Sequence, residues 1–123
     1  MEIKYRWFHK KSGKMVDWKM MLKECDRLSM LLSSEDWVVM PYTGVKDING
    51  VEIYADDIVR DFDEGTIYQV VYCEDCCGFC WYDPFQADYI HPCDLYPDQV
   101  EILGSIHIPN GVDGKFKDIK WKV

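Results

Sequence analysis

Long apolar runs and a surplus of basic residues are both missing from this chain of 123 residues. Its apolar stretches are far shorter than the roughly 20 residues that a membrane-spanning helix needs, so we expect no membrane contact. The 14 lysines and arginines are outnumbered by 22 acidic residues, which gives a net charge of -8. Proteins hold nucleic acids largely through Lys and Arg, so direct nucleic-acid binding is not expected.

Targeting signals and catalytic motifs are lacking too. The opening MEIKYRWFHKK has no apolar core of signal-peptide length, so we expect a cytoplasmic protein. There is no nucleophile motif of the G-x-S-x-G type, and His9, His91 and His107 are scattered. A Cys-His pair that only the fold brings together stays open. We predict a protein that is not an enzyme and needs no cofactor.

What the chain does contain is enough apolar material for one folded domain. Hydrophobic residues make up 48% of the sequence and aromatic residues 15%, which excludes disorder. The length is that of a single ordinary domain, and no linker, repeat or low-complexity segment divides it. We therefore treat residues 1–123 as one domain.

The apolar spacing predicts one helix among many short strands. Met21, Cys25, Leu28 and Leu32 recur at helical intervals and indicate a helix from Asp17 to Ser33, with Asp17 as its N-cap. Alternating or compact apolar runs, separated by turn residues, predict strands elsewhere. These lie near residues 3–8, 14–16, 37–40, 51–53, 58–59, 66–73, 79–82 and 100–108, and residues 119–123 form either a lysine-flanked edge strand or a loose tail.

Turn residues set the predicted architecture. Asn49-Gly50 favours a hairpin with two positive-φ residues, and Pro41 should end its strand or place it at a sheet edge. Closely spaced turns between short strands are typical of a small, bent barrel. The predicted fold class is α+β, mainly β: a small, strongly bent SH3-like barrel with one N-terminal helix.

The stretch VYCEDCCGFCW places four of the six cysteines within eight residues. In a reducing compartment these should be thiols, and a hairpin explains their spacing, with Cys73 near Cys80 on facing strands. The alternative is a zinc site, although zinc knuckles normally stand farther apart. Its ligands would be Cys73, Cys76, Cys80 and Cys93, with His91 as a substitute for Cys93. A redox motif is disfavoured because no βαβ pattern surrounds the cysteines.

Carboxylates are crowded into one short region of the sequence. They are Asp56, Asp57, Asp61, Asp63 and Glu64. Such a group could hold a divalent metal for hydrolysis, in which case Asp57→Ala should abolish activity. Turns also select Asp for backbone reasons, and we favour that interpretation.

The predicted helix carries more apolar residues than one stripe can hold. Met20, Leu22, Met30 and Leu31 are the candidates for its second face. Either the helix is buried on two sides within its own domain, or this face is a subunit interface, where methionine is well suited to contact. Symmetric homo-oligomers are common, so both interpretations stay open.

Three segments carry a family resemblance: YTGVKDINGVEIYADDIV (residues 42–59), IKYRWFHKKSGKMV (residues 3–16) and VEILGSIHIPN (residues 100–110). Together they resemble the YopX family of phage and prophage proteins, whose biochemical role is not established. The chain departs from the family pattern at Pro41, where a residue with a backbone N–H is expected. It departs again at Asp56, where glycine is usual and a positive-φ turn is implied.

The resemblance implies a phage or prophage setting, an oligomer and a fold type, but no reaction. We therefore predict a non-enzymatic accessory protein that acts through protein contacts, forms a homo-oligomer and meets a host or phage protein. The alternative is a zinc-stabilised binding module built on the Cys73–Cys80 cluster, which should bind stoichiometric zinc and unfold with a chelator.

Overall fold

The computed structural model describes residues 4–10, 13–23, 37–73, 78–92, 94–107 and 119–122. Most of these residues lie in antiparallel strands, so the prediction of a mainly β fold is confirmed. The strands are β1 (Tyr5–His9), β2 (Lys14–Val16), β3 (Trp37–Lys46), β4 (Glu52–Tyr54), β5 (Asp57–Asp61), β6 (Ile67–Cys73), β7 (Gly78–Asp83), β8 (Asp88–Ile90) and β9 (Val100–Ser105). Helix α1 (Trp18–Lys23) follows β2, and a 3₁₀ helix (Pro97–Gln99) precedes β9.

The N-terminal sheet has the strand order β2-β1-β3-β4. Strands β1 and β2 form the predicted hairpin, and Gly13 supplies its turn with a φ of 70°. Trp7 of β1 is buried, and its ring stacks on Trp18 of α1 with the ring centroids 6.1 Å apart. The helix is thus fixed to this sheet through an aromatic contact.

Helix α1 begins where the sequence predicts. The Asp17 carboxylate accepts a hydrogen bond of 2.8 Å from the Met20 N–H, which is the contact expected of an N-cap. The helix is described as far as Lys23. The remainder of the predicted helix, residues 24–33, lies outside the described residues.

Strand β3 contradicts the prediction for Pro41. The strand continues through Pro41 to Lys46 and lies inside its sheet, between β1 and β4. The Pro41 carbonyl accepts a hydrogen bond from Ala55, one residue beyond the end of β4. In an antiparallel strand the N and C=O of one residue face the same neighbour. The missing N–H therefore faces the end of the β4 ladder, where a proline is tolerated.

The hairpin between β3 and β4 differs from the predicted two-residue turn. Only Gly50 has a positive φ, of 77°, and Asn49 does not. The connection instead runs from Asp47 to Val51, and the Asp47 carboxylate organises it. Ile53 is fully buried as predicted, whereas Val51, expected to face the core, is 51% exposed because it belongs to this loop.

The second sheet has the strand order β8-β7-β6-β5-β9. The β6–β7 hairpin was predicted, whereas β8 was not. Residues on one face of the sheet form the apolar core together with Ile53 from β4. The buried members of this core are Ile53, Val59, Tyr68, Val70, Trp81, Leu95 and Val100. Alternate positions along the strands supply them, as a half-buried sheet requires.

The opposite face of this sheet meets the C-terminal residues 119–122. The edge strand predicted there is not formed, since residues 119–122 have no strand pairing. Instead the Lys122 backbone bonds to the side chain of Gln69. The side-chain amide of Gln69 thus makes the two backbone hydrogen bonds that a neighbouring strand would otherwise make.

Short backbone bonds connect the two sheets at both ends of the β3–β4 hairpin. Ile48 donates to the Val100 carbonyl at 2.9 Å, and Asp56 donates to the Val70 carbonyl at 2.8 Å. The described strands are divided between two sheets, so the SH3-like closure of the barrel is not confirmed. Among the described residues, no helix has both the length and the apolar character to cross a membrane.

Candidate functional site

The two sheets meet at a cluster of polar side chains, which we call the polar junction: Arg6, Asp56, Asp57, Gln69 and His107. Its most buried charge is Asp57, which is 1% exposed. An Arg6 nitrogen (Nη2) lies 2.6 Å from one Asp57 oxygen, and the Tyr54 N–H donates to the other at 2.9 Å. The Arg6 guanidinium also lies over the Tyr54 ring. The ion pair therefore joins β1 to the start of β5.

Burial raises the pKa of the Asp57 carboxyl above its ordinary value, because a carboxylate removed from water loses its solvation. The charge of Arg6 and the Tyr54 N–H both oppose that rise in pKa. Asp57 is thus held as part of a buried pair, where loss of one partner leaves the other uncompensated. This geometry assigns it a structural role.

Asp56 forms the second half of the junction. Its φ of 67° confirms the positive-φ turn that the family resemblance implied for this position. One Asp56 oxygen lies 2.9 Å from His107 Nε2, and the other accepts a hydrogen bond of 3.3 Å from Gln69. The His107 ring stacks on Phe8 of β1. Asp56 therefore links the turn between β4 and β5 directly to β6, and it links the same turn to β1 through the His107 ring.

Both oxygens of the Asp47 carboxylate accept backbone hydrogen bonds, one within the hairpin and the other from β9. One oxygen accepts hydrogen bonds of 2.9 Å from the N–H groups of Asn49 and Val51, and the other accepts one of 3.0 Å from Ile102 of β9. The side chain is 5% exposed. The sequence analysis did not anticipate the bond of this residue to β9.

The acidic residues that could have formed a divalent metal site do not converge. Asp61 accepts a hydrogen bond from the Asp63 N–H, while Asp56 and Asp57 face different partners. Within the described part of the chain, no three His, Cys, Asp or Glu side chains are grouped so that they could hold a metal ion. Asp61 thus serves a turn, whereas Asp56 and Asp57 serve the polar junction.

The cysteine hairpin is partly described. Cys73 pairs with Gly78 and Cys80 pairs with Val71, so the two thiols lie diagonally on one face of β6 and β7. This confirms the prediction that they are close on facing strands. Cys80 is buried beside Val71 and Tyr82, whereas Cys73 is half-buried. Cys76 and Cys93 lie outside the described residues, and the substitute ligand His91 is exposed.

An apolar groove opens on the other face of the same hairpin. Its volume is about 330 Å³, and its walls come from β3, β6, β7 and the segment that leads to β9. Trp81 forms part of its floor and is held by a 2.8 Å hydrogen bond to the Leu95 carbonyl. Tyr72 at the rim is 59% exposed and meets Phe79 edge to face. A fixed apolar floor and an exposed aromatic rim are features of protein-contact sites.

The predicted interface residues of the helix are only partly described. Met20 is 41% exposed on α1. Leu22 belongs to α1, but its side chain lies outside the described set, as do Met30 and Leu31. Of the four candidates, only Met20 has a described side chain, so the structure bears on the choice between a buried helix and a subunit interface at that residue alone.

Sequence reasoning missed the polar junction and the groove. Gln69 offered a signal, because it is the one polar residue in the apolar run IYQVV and a buried amide must be satisfied. Arg6 offered a weaker signal, as a charge between Tyr5 and Trp7 on a partly buried strand. The groove left no sequence signal, because its residues come from four separate segments.

The geometry defines a class: a mainly β domain whose polar residues brace its turns and whose exposed apolar groove offers a contact surface. The YopX protein family matches residues 2–109, so the chain belongs to that family. A solved structure, the crystal structure of protein EF1440 from Enterococcus faecalis, is similar. It has a TM-score of 0.60 and 17% identity, and the match covers 89% of this chain and 96% of that chain.

At that identity the likeness concerns the fold alone. No curated protein matches the chain significantly.

Proposed function

We propose that this protein is a non-enzymatic accessory protein of phage or prophage origin. It acts in the cytoplasm of the host cell through protein contacts, with a host or phage protein as partner, and through self-assembly. The observation that carries the proposal is the apolar groove of about 330 Å³ between β3, β6 and β7. A preformed apolar groove with an exposed aromatic rim is suited to bind an apolar side chain of a partner protein.

The state of the acidic residues supports a non-enzymatic role. Asp47, Asp57 and Asp61 are each buried and each accept backbone hydrogen bonds. A general acid, general base or metal ligand needs oxygens that face a substrate or an ion. Here those oxygens stabilise turns.

The rim of the groove suggests how a partner would be held. Val45 and Tyr72 are both exposed and flank the buried floor at Trp81. Aromatic residues that project beside a preformed apolar pocket are typical anchors at interfaces. The partner would therefore insert an apolar side chain between β3 and the β6–β7 hairpin.

In the same proposal, helix α1 supplies the surface through which copies of the protein assemble. Met20 exposes an adaptable apolar side chain on helix α1, which Trp18 anchors to Trp7 of β1. Two finer features of the fold also stay proposals: the SH3-like closure of the barrel, and the extension of the N-terminal helix to Ser33.

Native mass spectrometry under reducing conditions tests the proposal. We expect the wild-type chain to be an oligomer without bound metal, and Met20→Ser to lower its subunit count. The matched control is Phe85→Ser, which removes an aromatic side chain that is 68% exposed in the β7–β8 turn and does not line the groove. A wild-type chain that is monomeric at every concentration would contradict self-assembly.

The same spectrum tests the alternative module. A mass increase of one zinc per chain, followed by unfolding with a chelator, would favour the site at Cys73, Cys76, Cys80 and Cys93. Partner binding is tested separately. Tyr72→Ser should weaken capture of a cognate host or phage protein, whereas Phe85→Ser should not.

A further inference from the structure

The apolar groove presents mainly rings to a partner. Five of its ten lining residues carry a ring, and none of the ten is charged; the five are Tyr72, Phe79, Trp81, Pro92 and Pro97. The Trp81 ring is fixed by its hydrogen bond to the Leu95 carbonyl, and the rings of Tyr72 and Phe79 meet edge to face. The groove therefore offers preformed, rigid apolar surfaces on which another flat ring can pack.

The size of the groove restricts the partner to a short insertion. Its volume of about 330 Å³ is at the lower end of the range for ligand pockets, which is roughly 300–1,000 Å³. An amphipathic helix docks through a row of anchors at i, i+3, i+4 and i+7, which needs a longer groove. A polyproline II segment has three residues per turn and docks its prolines in aromatic-lined grooves. One turn of such a segment suits this groove.

Carboxylates flank the wall that the segment before β9 supplies. Asp94 and Asp98 are both exposed, and each stands within two positions of a proline that lines the groove. Neither forms an ion pair with another described residue. Lys46 is the one described lysine or arginine next in sequence to a lining residue, and it lies opposite Glu52 in the β3–β4 ladder. The charge beside the groove is thus complementary to a basic partner.

We propose that the groove binds a short proline-containing segment of a host or phage protein, in the polyproline II conformation, with a lysine or arginine at its flank. The proline rings of the segment pack on Tyr72, Phe79 and Trp81, and its basic residue faces Asp94 and Asp98. The polyproline II conformation is preformed, so little conformational entropy is lost on binding and a small groove is sufficient. The proposal rests on the contact function proposed above for the groove and names the class of partner.

Three synthetic peptides test the proposal by fluorescence anisotropy with the full-length, reduced protein. They are KRPPLPPRK, KRGGLGGRK, in which glycine replaces each proline, and EEPPLPPEE, in which acidic residues replace the basic ones. We expect the first to bind at least about tenfold more tightly than either of the others. Glycine removes both the rings and the preformed conformation, and acidic flanks meet Asp94 and Asp98 with like charge.

Substitutions at the rim locate the binding of KRPPLPPRK. Tyr72→Ser should raise its dissociation constant by about tenfold or more, because exposed aromatic anchors dominate such contacts. Phe85→Ser removes an exposed ring that does not line the groove and should leave the constant unchanged. Circular dichroism and a melting curve report whether Tyr72→Ser folds. If it does not, the peptide series and the charge variants still decide.

The charge variants test the basic flank separately. The double variant Asp94→Asn/Asp98→Asn should weaken binding by about threefold, since exposed charge pairs contribute little each. That loss should disappear in high salt, which screens exposed charges. Asp88→Asn makes the same kind of change at an exposed position of β8 and should have no effect.

Selection from a random dodecamer library displayed on phage removes any dependence on the chosen peptides. We expect the peptides that bind wild-type protein but not Tyr72→Ser to share prolines and a basic flank. Tyr72-dependent peptides without prolines, or with acidic flanks, would overturn the partner class and leave the groove as a contact site. A library and a peptide series without any Tyr72-dependent binder would remove the groove as a contact site, and with it that part of the proposed function.

Discussion

On strand β6, Tyr68 and Val70 enter the apolar core, whereas Gln69 between them enters the polar junction on the opposite face. All three side chains are buried. The core is held by packing, which has no preferred direction and tolerates changes that keep volume and shape. The polar junction is held by directed bonds, each of which needs its particular partner.

The difference shows which buried positions tolerate substitution and which do not. In the core, removing one methyl group loses only the contacts of that group. In the polar junction, removing one partner leaves another buried polar group without its hydrogen bond or counter-charge. Where that group is ionisable, the loss in the free energy of unfolding depends on pH. The two regions should therefore respond to mutation with different magnitudes and different pH profiles.

The largest effect is expected for Arg6→Met, which leaves the Asp57 carboxyl buried without its counter-charge. We expect a loss of about 3–5 kcal/mol in the free energy of unfolding at neutral pH. The pKa of Asp57, already raised by burial, should rise further once Arg6 no longer opposes it. Urea denaturation at a series of pH values measures both effects.

The sign of the pH dependence follows from that pKa. A carboxyl that holds its proton more tightly when folded than when unfolded stabilises the fold fully below its unfolded pKa, near 3.9. The contribution is lost as pH rises through the folded pKa. The deficit of Arg6→Met should therefore be largest at neutral pH and shrink toward about pH 4. If the loss in the free energy of unfolding did not change with pH, the uncompensated buried charge in Arg6→Met would not be that of the Asp57 carboxylate.

A smaller loss is expected for Asp47→Ala, which removes the acceptors of three backbone N–H groups. We expect a decrease of about 2–3 kcal/mol, since the buried donors on the hairpin and on β9 lose their partners. Asp47→Asn is the matched control because it keeps one carbonyl oxygen, and it should lose less. Equal losses in both variants would show that charge, rather than acceptor number, matters at this position.

The smallest effect is expected in the apolar core. Ile53→Val removes one methylene from a fully buried side chain and should cost about 0.5–1.5 kcal/mol. Since no charge is involved, the loss should be the same at pH 5 and at pH 8. Thermal denaturation at both pH values checks this, and a pH-dependent loss would show that the core and the polar junction are coupled.

Much of the fold could be predicted because its signals are local. The β1–β2 hairpin turns at Gly13, and Asp17 caps α1. Each of these depends on the conformational preferences of one or two residues. The β6–β7 hairpin was also predictable, since its strands are rich in β-branched and aromatic residues.

Two of the predictions that were wrong concern how segments meet. Pro41 was expected at a strand end, yet it lies inside β3 because β4 ends opposite it. The C-terminal edge strand was expected from alternation, yet residues 119–122 bind a side chain instead of a strand. In both cases the local sequence pattern was compatible with several neighbouring segments of the chain. It could not indicate which segment would lie beside it.

The sequence by itself determined the mainly β character of the fold, the turn at Gly13, the acidic character and the family, because these depend on composition and on neighbours along the chain. Only the tertiary structure decided which buried charges pair and what the tail contacts. Arg6 and Asp57 are 51 positions apart, and Gln69 and Lys122 are 53 apart. Contacts at such separations arise from the packing of the two sheets, and no local preference specifies them.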